Sequence, residues 1–515
     1  MSSQAPGATP DSKPTNAVPV QPQAPRRPAR GRKPSANKRC QTGAGGPPTP
    51  QERPADLPNI LFILCDDLGI NDLRCYGRLD HRTPNLDRLA GQGTRFTSAY
   101  ACQPICSASR AGLLTGLNPA RLHLTTYLPG RPDLPSQRVL HPEIELNVPL
   151  SVKALPKYFS ELGYATGLIG KWHIGDENGP AQHGFEHVFH PSDGMETEPS
   201  ENEGGKAEYL LTRETLRFIG ANRERPFLAF LAHYTPHIPY TARADLVERN
   251  AGAFEPVYAA LIETLDDTVG LLLRRLDEWG LAERTIVVFT SDNGGLHVPE
   301  WHHARVTHNT PFRAGKGYNY EGGVRVPLIV RWPGHVPAGR VVDAPVNNTG
   351  WIPTLLGMVG APTPEGLDGR SFASGLLGGT FPEDPIFWHF PHYTNQGGRP
   401  SGAVRDGRWM LVEYYDEDRT ELYDLDTDVS QREDVATAHP ERVEAMRAAL
   451  DRWREENEAQ ANVPNPDCNE ALFRRLYIDI DPGRFDPPNA TDEDWRKIAA
   501  WRRVMDRPSE WNGRD

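Results

Sequence analysis

Three kinds of side chain in this sequence could do chemistry together if the fold gathered them. Asp66-Asp67 and Asp292-Asn293 supply three carboxylates and an amide, a hard-oxygen set that suits Ca2+ or Mg2+ and not a soft metal. Either pair alone also fits an ordinary turn or helix cap. Cys106 opens the stretch Cys106-Ser-Ala-Ser-Arg110-Ala-Gly-Leu-Leu-Thr115-Gly116, where an apolar helix is expected to begin. A helix N-terminus favours an anion, and Arg110 lies one turn further on the same face. On its own Cys106 fits a buried structural thiol or a thiolate nucleophile. Lys171, His173, His233, His237 and Lys316 are cations and proton carriers that could surround an anion; singly, each also fits a solvated lysine or a hydrogen-bonded core histidine.

Most of these residues share one place in the hydrophobic pattern. Four short apolar runs, 59–65, 165–169, 227–232 and 285–290, lead into them, and each run has the β-rich character of a strand covered on both faces. Open α/β sheets bind ligands beyond the carboxyl ends of their strands, so four polar strand ends predict one shared crevice. Helices over 83–91, 152–162, 207–222 and 256–279 supply the crossovers. After the Gly-rich stretch 368–379, the runs 386–390, 402–405, 408–412 and 421–423 read as short strands, with Asp406-Gly407 as a hairpin turn. The segment 439–460 reads as an amphipathic helix packed on them.

The expected fold class is therefore α/β: a large mixed, mostly parallel sheet between helices, with a smaller C-terminal antiparallel sheet plus helix. The expected organisation is a basic, Pro-rich disordered arm over 1–57, a catalytic domain over 58–380 and a C-terminal subdomain over 381–460. A tail over 461–515 holds one helix at 492–505 and is expected to wrap or to pair with another subunit. A formal charge of -12 over 515 residues argues against nucleic acid as the partner. No apolar run reaches the roughly 20 residues that span a bilayer. The first 57 residues lack the apolar region of a cleavable signal. Six irregularly spaced cysteines without a Cys-x-x-Cys pair exclude a disulfide scaffold and a thiolate zinc site.

Cys106 through Gly116 resembles the signature of the formylglycine-dependent sulfatases, an alkaline-phosphatase-like superfamily: Cys-x-Pro/Ala-Ser-Arg, a helix and Thr-Gly. Four further segments agree in order: Ile63-Leu-Cys-Asp-Asp-Leu-Gly69, Gly170-Lys-Trp-His-Ile-Gly175, Thr235-Pro-His-Ile-Pro239, and the lysine block from Asn309 through Lys316 to Pro327. Ser291-Asp-Asn-Gly294 completes the metal motif, and the likeness runs from about Pro58 to Val435.

The resemblance implies oxidation of Cys106 to formylglycine by a formylglycine-generating maturation enzyme. Ala108 stands where many members have Pro, which leaves open which kind of enzyme accepts the site. It further implies that Asp66, Asp67, Asp292, Asn293 and the modified Cys106 hold one divalent cation, usually Ca2+, with Mg2+ possible. Lys171, His237 and Lys316 would hold the sulfate oxygens, His237 or Lys316 would protonate the leaving alcohol, and His173 would take a proton from the remaining hydroxyl. Arg110 is counted among the catalytic groups.

A sulfated sugar is the expected substrate. Pro119-Ala-Arg-Leu-His123 and Leu128-Pro-Gly-Arg131 look like sulfatases acting on polysaccharides, and His123, Arg131, His233, His302 and His303 are expected to form the substrate rim, with Arg121, Trp301 and His308 near it. The resemblance also implies a periplasmic or secreted location. Two alternatives stay open here: a phosphate or phosphonate ester hydrolase of the same superfamily, and a silent glycan-binding protein with unmodified Cys106.

Overall fold

Along strand β1 (Asn59–Asp66) the side chains part to two faces: Ile60, Phe62 and Leu64 enter one apolar cluster, and Leu61, Ile63 and Cys65 enter another. A strand buried on both sides must lie inside a sheet sandwiched by helices, as a continuous apolar run demands. The computed structural model describes residues 57–191 and 203–507; the expected basic arm lies, apart from Leu57, outside the described residues.

In chain order the next strands are β2 (Thr94–Tyr100), β3 (Val139–Leu140), β4 (Ala165–Gly170), β5 (His187–Phe189), β6 (Phe227–Pro236), β7 (Thr285–Ser291), β8 (Arg325–Arg331), β9 (Arg340–Val342) and β10 (Val346–Asn347). The main sheet has the order β10-β2-β8-β7-β1-β6-β4-β5, with β9 joined to β2. The strands from β7 through β5 run parallel, while β8 is antiparallel to both β7 and β2. The sheet is therefore mixed and mostly parallel, as the apolar runs predict. Helices Glu208–Ala221 and Pro256–Glu278 cover one face, where Leu211, Phe218, Leu261 and Leu265 join the cluster of Leu61 and Ile63. Helices Cys106–Thr115 and Trp351–Met358 cover the other.

A second, antiparallel sheet is formed by β11 (Ile386–Phe390), β12 (Ser401–Asp406), β13 (Trp409–Tyr414) and β14 (Arg419–Asp424). One face meets the main body through Tyr100, Tyr320, Trp388 and Tyr423; the other carries helix Pro440–Glu456 on Met446 and Leu450. The tail wraps back onto its own chain. Its strand β15 (Val463–Pro464) pairs with β3, and helices Glu470–Tyr477 and Asp492–Asp506 share a core with Val298 and Tyr393. The helix at 470–477 is absent from the sequence reading, because eight residues amid Pro- and Asp-rich chain give a short pattern that only packing completes. Among the described residues, the five cysteines are free and no helix is long and apolar enough to cross a membrane.

Candidate active site

Asp66 ends β1, and Asp67 follows with φ 63°, a left-handed conformation uncommon outside glycine. Two bonds to the neighbouring strand end hold that turn: Asp67 N–H donates to Asp292 Oδ1 at 3.1 Å, and Leu68 N–H to Ser291 Oγ at 3.0 Å. The stitch lays the two acidic pairs side by side. Asn293 Nδ2 donates to Asp67 Oδ1 at 2.8 Å. From the end of β4, Lys171 Nζ reaches Asp66 Oδ2 at 2.6 Å, and from the loop after β7, Lys316 Nζ reaches Asp67 Oδ2 at 2.7 Å. Gly170, at φ 105°, is required there, because a Cβ would stand 1.9 Å from the Ala232 carbonyl oxygen. Beneath them, Arg110 Nε donates to Asp292 Oδ2 at 2.7 Å while Nη2 stands 3.7 Å from Asp66 Oδ1. His237 Nδ1 donates to the Ile238 carbonyl at 2.6 Å, which leaves Nε2 3.6 Å from Asp67 Oδ2.

Cys106 is the first residue of its helix, at the positive end of the helix dipole. The helix is pinned by Asn348, whose Oδ1 accepts from Cys102 N–H at 2.9 Å and whose Nδ2 donates to Ser109 Oγ at 2.8 Å. Cys106, Lys171, His173, His237 and Lys316 all line one cleft of about 930 Å3. The carboxylates and Arg110 lie below that surface: Arg110 touches Asp292 and Asp66 and does not line the cleft.

Three carboxylates and three cations thus meet on a nearly dry floor. Burial opposes charge on Asp66, yet Lys171, with His237, Arg110 and Lys316, holds its carboxyl well below the usual range. Asp292 is pushed up to about 7 by burial, with Arg110 opposing and the Asp66 charge adding to the rise. Burial also raises the Cys106 thiol against the pull of Lys171 and Lys316, which disfavours an unmodified thiolate nucleophile at neutral pH. Burial, followed by the Lys171 charge, holds His173 well below 6.5 and therefore neutral, and its buried Nδ1 has no partner. Asp66 Oδ1 and Asn293 Oδ1 are buried and accept no hydrogen bond, and ligand atoms of Asp66, Asp67 and His237 lie within 4.8 Å of one another. Hard oxygens with unused buried lone pairs fit a divalent cation.

The rim departs from the sequence reading. Arg131 and Trp301 line the cleft, but His123, His233, His302 and His303 do not. His123 Nε2 donates to the Glu458 carbonyl at 3.1 Å, turned to the far end of helix Pro440–Glu456. His233 is fully buried inside β6, which runs to Pro236, four residues beyond the expected strand end. His303 accepts from Tyr240 N–H at 2.9 Å and stacks on that ring; His302 is exposed beside Trp301. Arg121 pairs with Asp368, and His308 packs edge-on against Phe254. Residues absent from the sequence reading take their places: Tyr127, His190, Glu300, Asn395, Gln396 and, from the last helix, Arg502 and Asp506. Glu300 is gripped by Asn395 Nδ2 at 2.5 Å and Gln396 Nε2 at 2.6 Å, and the Asn395 carbonyl accepts from Arg502 at 2.7 Å. No local pattern marks such residues, since they meet only when the tail folds back.

A crevice at the strand ends of an α/β sheet, with cations over an acidic floor, suits a small anionic group. Residues 58–361 match the Sulfatase family model, and residues 314–457 match N-sulphoglucosamine sulphohydrolase, C-terminal. The chain belongs to the sulfatase family, and it is a sulfuric ester hydrolase. It is 34% identical to human (Homo sapiens) arylsulfatase A over 395 residues, covering 68% of this chain and 74% of that protein. It is also 34% identical to N-acetylgalactosamine-6-sulfatase of Canis lupus familiaris over 382 residues, covering 67% and 70%. Among solved structures, Ps i-CgsB in complex with k-i-k-neocarrahexaose superposes with a TM-score of 0.69 at 27% identity, covering 82% of this chain and 97% of that one.

Proposed function

We propose that the cleft removes sulfate from a sulfated carbohydrate, with a formylglycine derived from Cys106 as nucleophile and one divalent cation, Ca2+ or Mg2+, on the floor. The observation that carries this reading is the pair of buried lysines, Lys171 and Lys316, each seated on one of two adjacent carboxylates beside Cys106. Asp66, Asp67, Asp292 and Asn293 would hold the cation, which when bound draws charge from the sulfate oxygens as a Lewis acid. The hydrated aldehyde would supply the attacking hydroxyl.

The chain's own groups do the rest. Lys171 and Lys316, each seated on a carboxylate, bind sulfate oxygens where negative charge builds, the effect that most lowers such a barrier. Lys316, seated on Asp67 at the cleft wall, can hand a proton to the departing alcohol; His237, pushed down to about 4 by burial and with its Nδ1–H on the Ile238 carbonyl, can do so only after Nε2 takes up a proton. His173, neutral in its buried setting, accepts the proton that frees the sulfate in the second half. Arg110 fixes Asp292 and Asp66 from below.

A carbohydrate leaving group is supported by Trp301, an exposed aromatic face on the cleft wall, and by relatives whose names carry N-acetylgalactosamine and k-i-k-neocarrahexaose. Peptide mass spectrometry of the Cys106 segment, from protein made in a native-like host, tests the nucleophile: the mass must fall by the difference between thiol and aldehyde. Matched aryl sulfate, phosphate and phosphonate esters test the reaction. The sulfate must be turned over fastest, and a preference for either phosphorus ester overturns the reading.

A further inference from the structure

The cations along the cleft wall are not alike. Lys171 is neutralised by Asp66 and Lys316 by Asp67, while Arg502 Nη2 pairs with Asp506 at 2.6 Å. Arg131 has no such partner: among the described residues no carboxylate lies within 4.0 Å of its guanidinium, and its Nη1 is buried without a hydrogen bond. A half-buried guanidinium with no counter-ion loses hydration and gains nothing in return, unless the group that completes it arrives with the substrate.

Its position is set by the nucleophile helix. Leu128 N–H donates to Ser107 Oγ at 3.1 Å, so the turn carrying Arg131 is tied to the residue next to Cys106. Three residues of chain span at most about 10 Å, which keeps Arg131 close to the reacting ester and not far along a polymer. Tyr127 lines the same cleft as Cys106 and Arg131.

We propose that Arg131 is a second anion subsite, and that the preferred substrate is a glycan bearing another carboxylate or sulfate on the sugar next to the ester being cleaved. This rests on the sulfatase reading of the same cleft. It follows from the pairing: Lys171, Lys316 and Arg502 each already face a carboxylate and Arg131 does not, and the chain as a whole is -12, so long-range attraction does not favour a polyanion. Local, geometrically fixed recognition by a guanidinium fork can.

The test uses three matched disaccharides with one common sulfate ester: one otherwise neutral, one with a carboxylate on the neighbouring sugar, one with a second sulfate there. For the wild-type protein kcat/KM is expected to be about 10- to 100-fold higher for at least one dianionic substrate, mostly through KM. Arg131→Gln must erase that ratio while Arg131→Lys keeps part of it, and added salt must shrink it. Equal rates on all three substrates, or a ratio unchanged in Arg131→Gln, overturn the proposal, and the favoured dianion says which anion is read. If no substrate is turned over, the sulfatase chemistry fails instead. Calorimetric binding of the dianionic disaccharides then decides Arg131 separately: Arg131→Gln must weaken it, and equal affinity for both proteins ends the proposal.

Discussion

On the floor of the cleft each cation has a carboxylate within 2.7 Å: Lys171 on Asp66, Lys316 on Asp67, Arg110 on Asp292. On the rim, Arg131 has no counter-ion among the described residues, and Trp301 is 61% exposed, at φ 58°. The acidic floor and Lys171 come from strand ends locked into a parallel sheet, joined by Arg110 from the helix Cys106–Thr115 and by Lys316 from a buried loop, and the rim comes from exposed loops and the returning tail. The difference teaches where each property of an enzyme can reside. Charges that must stabilise a transition state need fixed positions in a dry setting, which the buried strand ends and the elements packed on them provide. Groups that choose among sugars need exposure, and they sit on elements that can vary without unseating the floor.

The contrast breaks most sharply at the floor. Asp67→Asn keeps the side chain's shape but removes the charge that seats Lys316 and that would serve the proposed cation. Sulfatase activity should fall about 10²- to 10³-fold on aryl and sugar sulfates alike. Chelation of the wild-type protein should do the same and lower its melting temperature, with Ca2+ or Mg2+ restoring both; full activity after exhaustive chelation would refute the metal reading.

A smaller effect lies beneath the rim, where His141 Nδ1 and His392 Nδ1 stand 3.2 Å apart. Burial pushes His141 down to about 4 and His392 well below 6.5, His141 adding to the latter by its charge. Between roughly pH 6.5 and 4 the unfolded chain binds protons that the folded pair refuses, so stability is whole above that window and drains away as pH falls through it. Thermal melts should show the protein less stable at pH 5 than at pH 7, this pair contributing on the order of 1–2 kcal/mol. In His141→Gln the difference should shrink; an equal or larger gap would discredit the pair as its source.

The smallest expected change sharpens the comparison from the other side. Trp301→Ala should lower kcat/KM for a sulfated oligosaccharide about 3- to 10-fold more than for an aryl sulfate, as loss of one stacking face does. Folding stability should stay within about 0.5 kcal/mol, because so exposed a side chain leaves no cavity. A matching loss on both substrates would remove Trp301 from sugar recognition.

Much of the floor was legible in the chain. The apolar run of β1 followed by Asp66-Asp67, and that of β7 followed by Asp292-Asn293, announce both strand and site, because a buried strand admits polar residues only where it ends. His233 shows the limit of that rule: the end of β6 is set by pairing with β1 through Pro236, and composition cannot reveal how far a neighbour extends. The last helix shows another, since a reading of local pattern finds Asp492–Asp506 but not that its Arg502 reaches Asn395.

By itself, the sequence determined the sheet, the order of its polar strand ends and the identities of the acidic and cationic groups, since apolar periodicity and local motifs are short-range properties of the chain. Only the tertiary structure decided which cations are neutralised, that Arg110 lies beneath the cleft and not in it, and which loops form the rim. Those outcomes depend on contacts between residues as much as 249 positions apart, such as Lys316 with Asp67, and on burial, neither of which any local stretch contains.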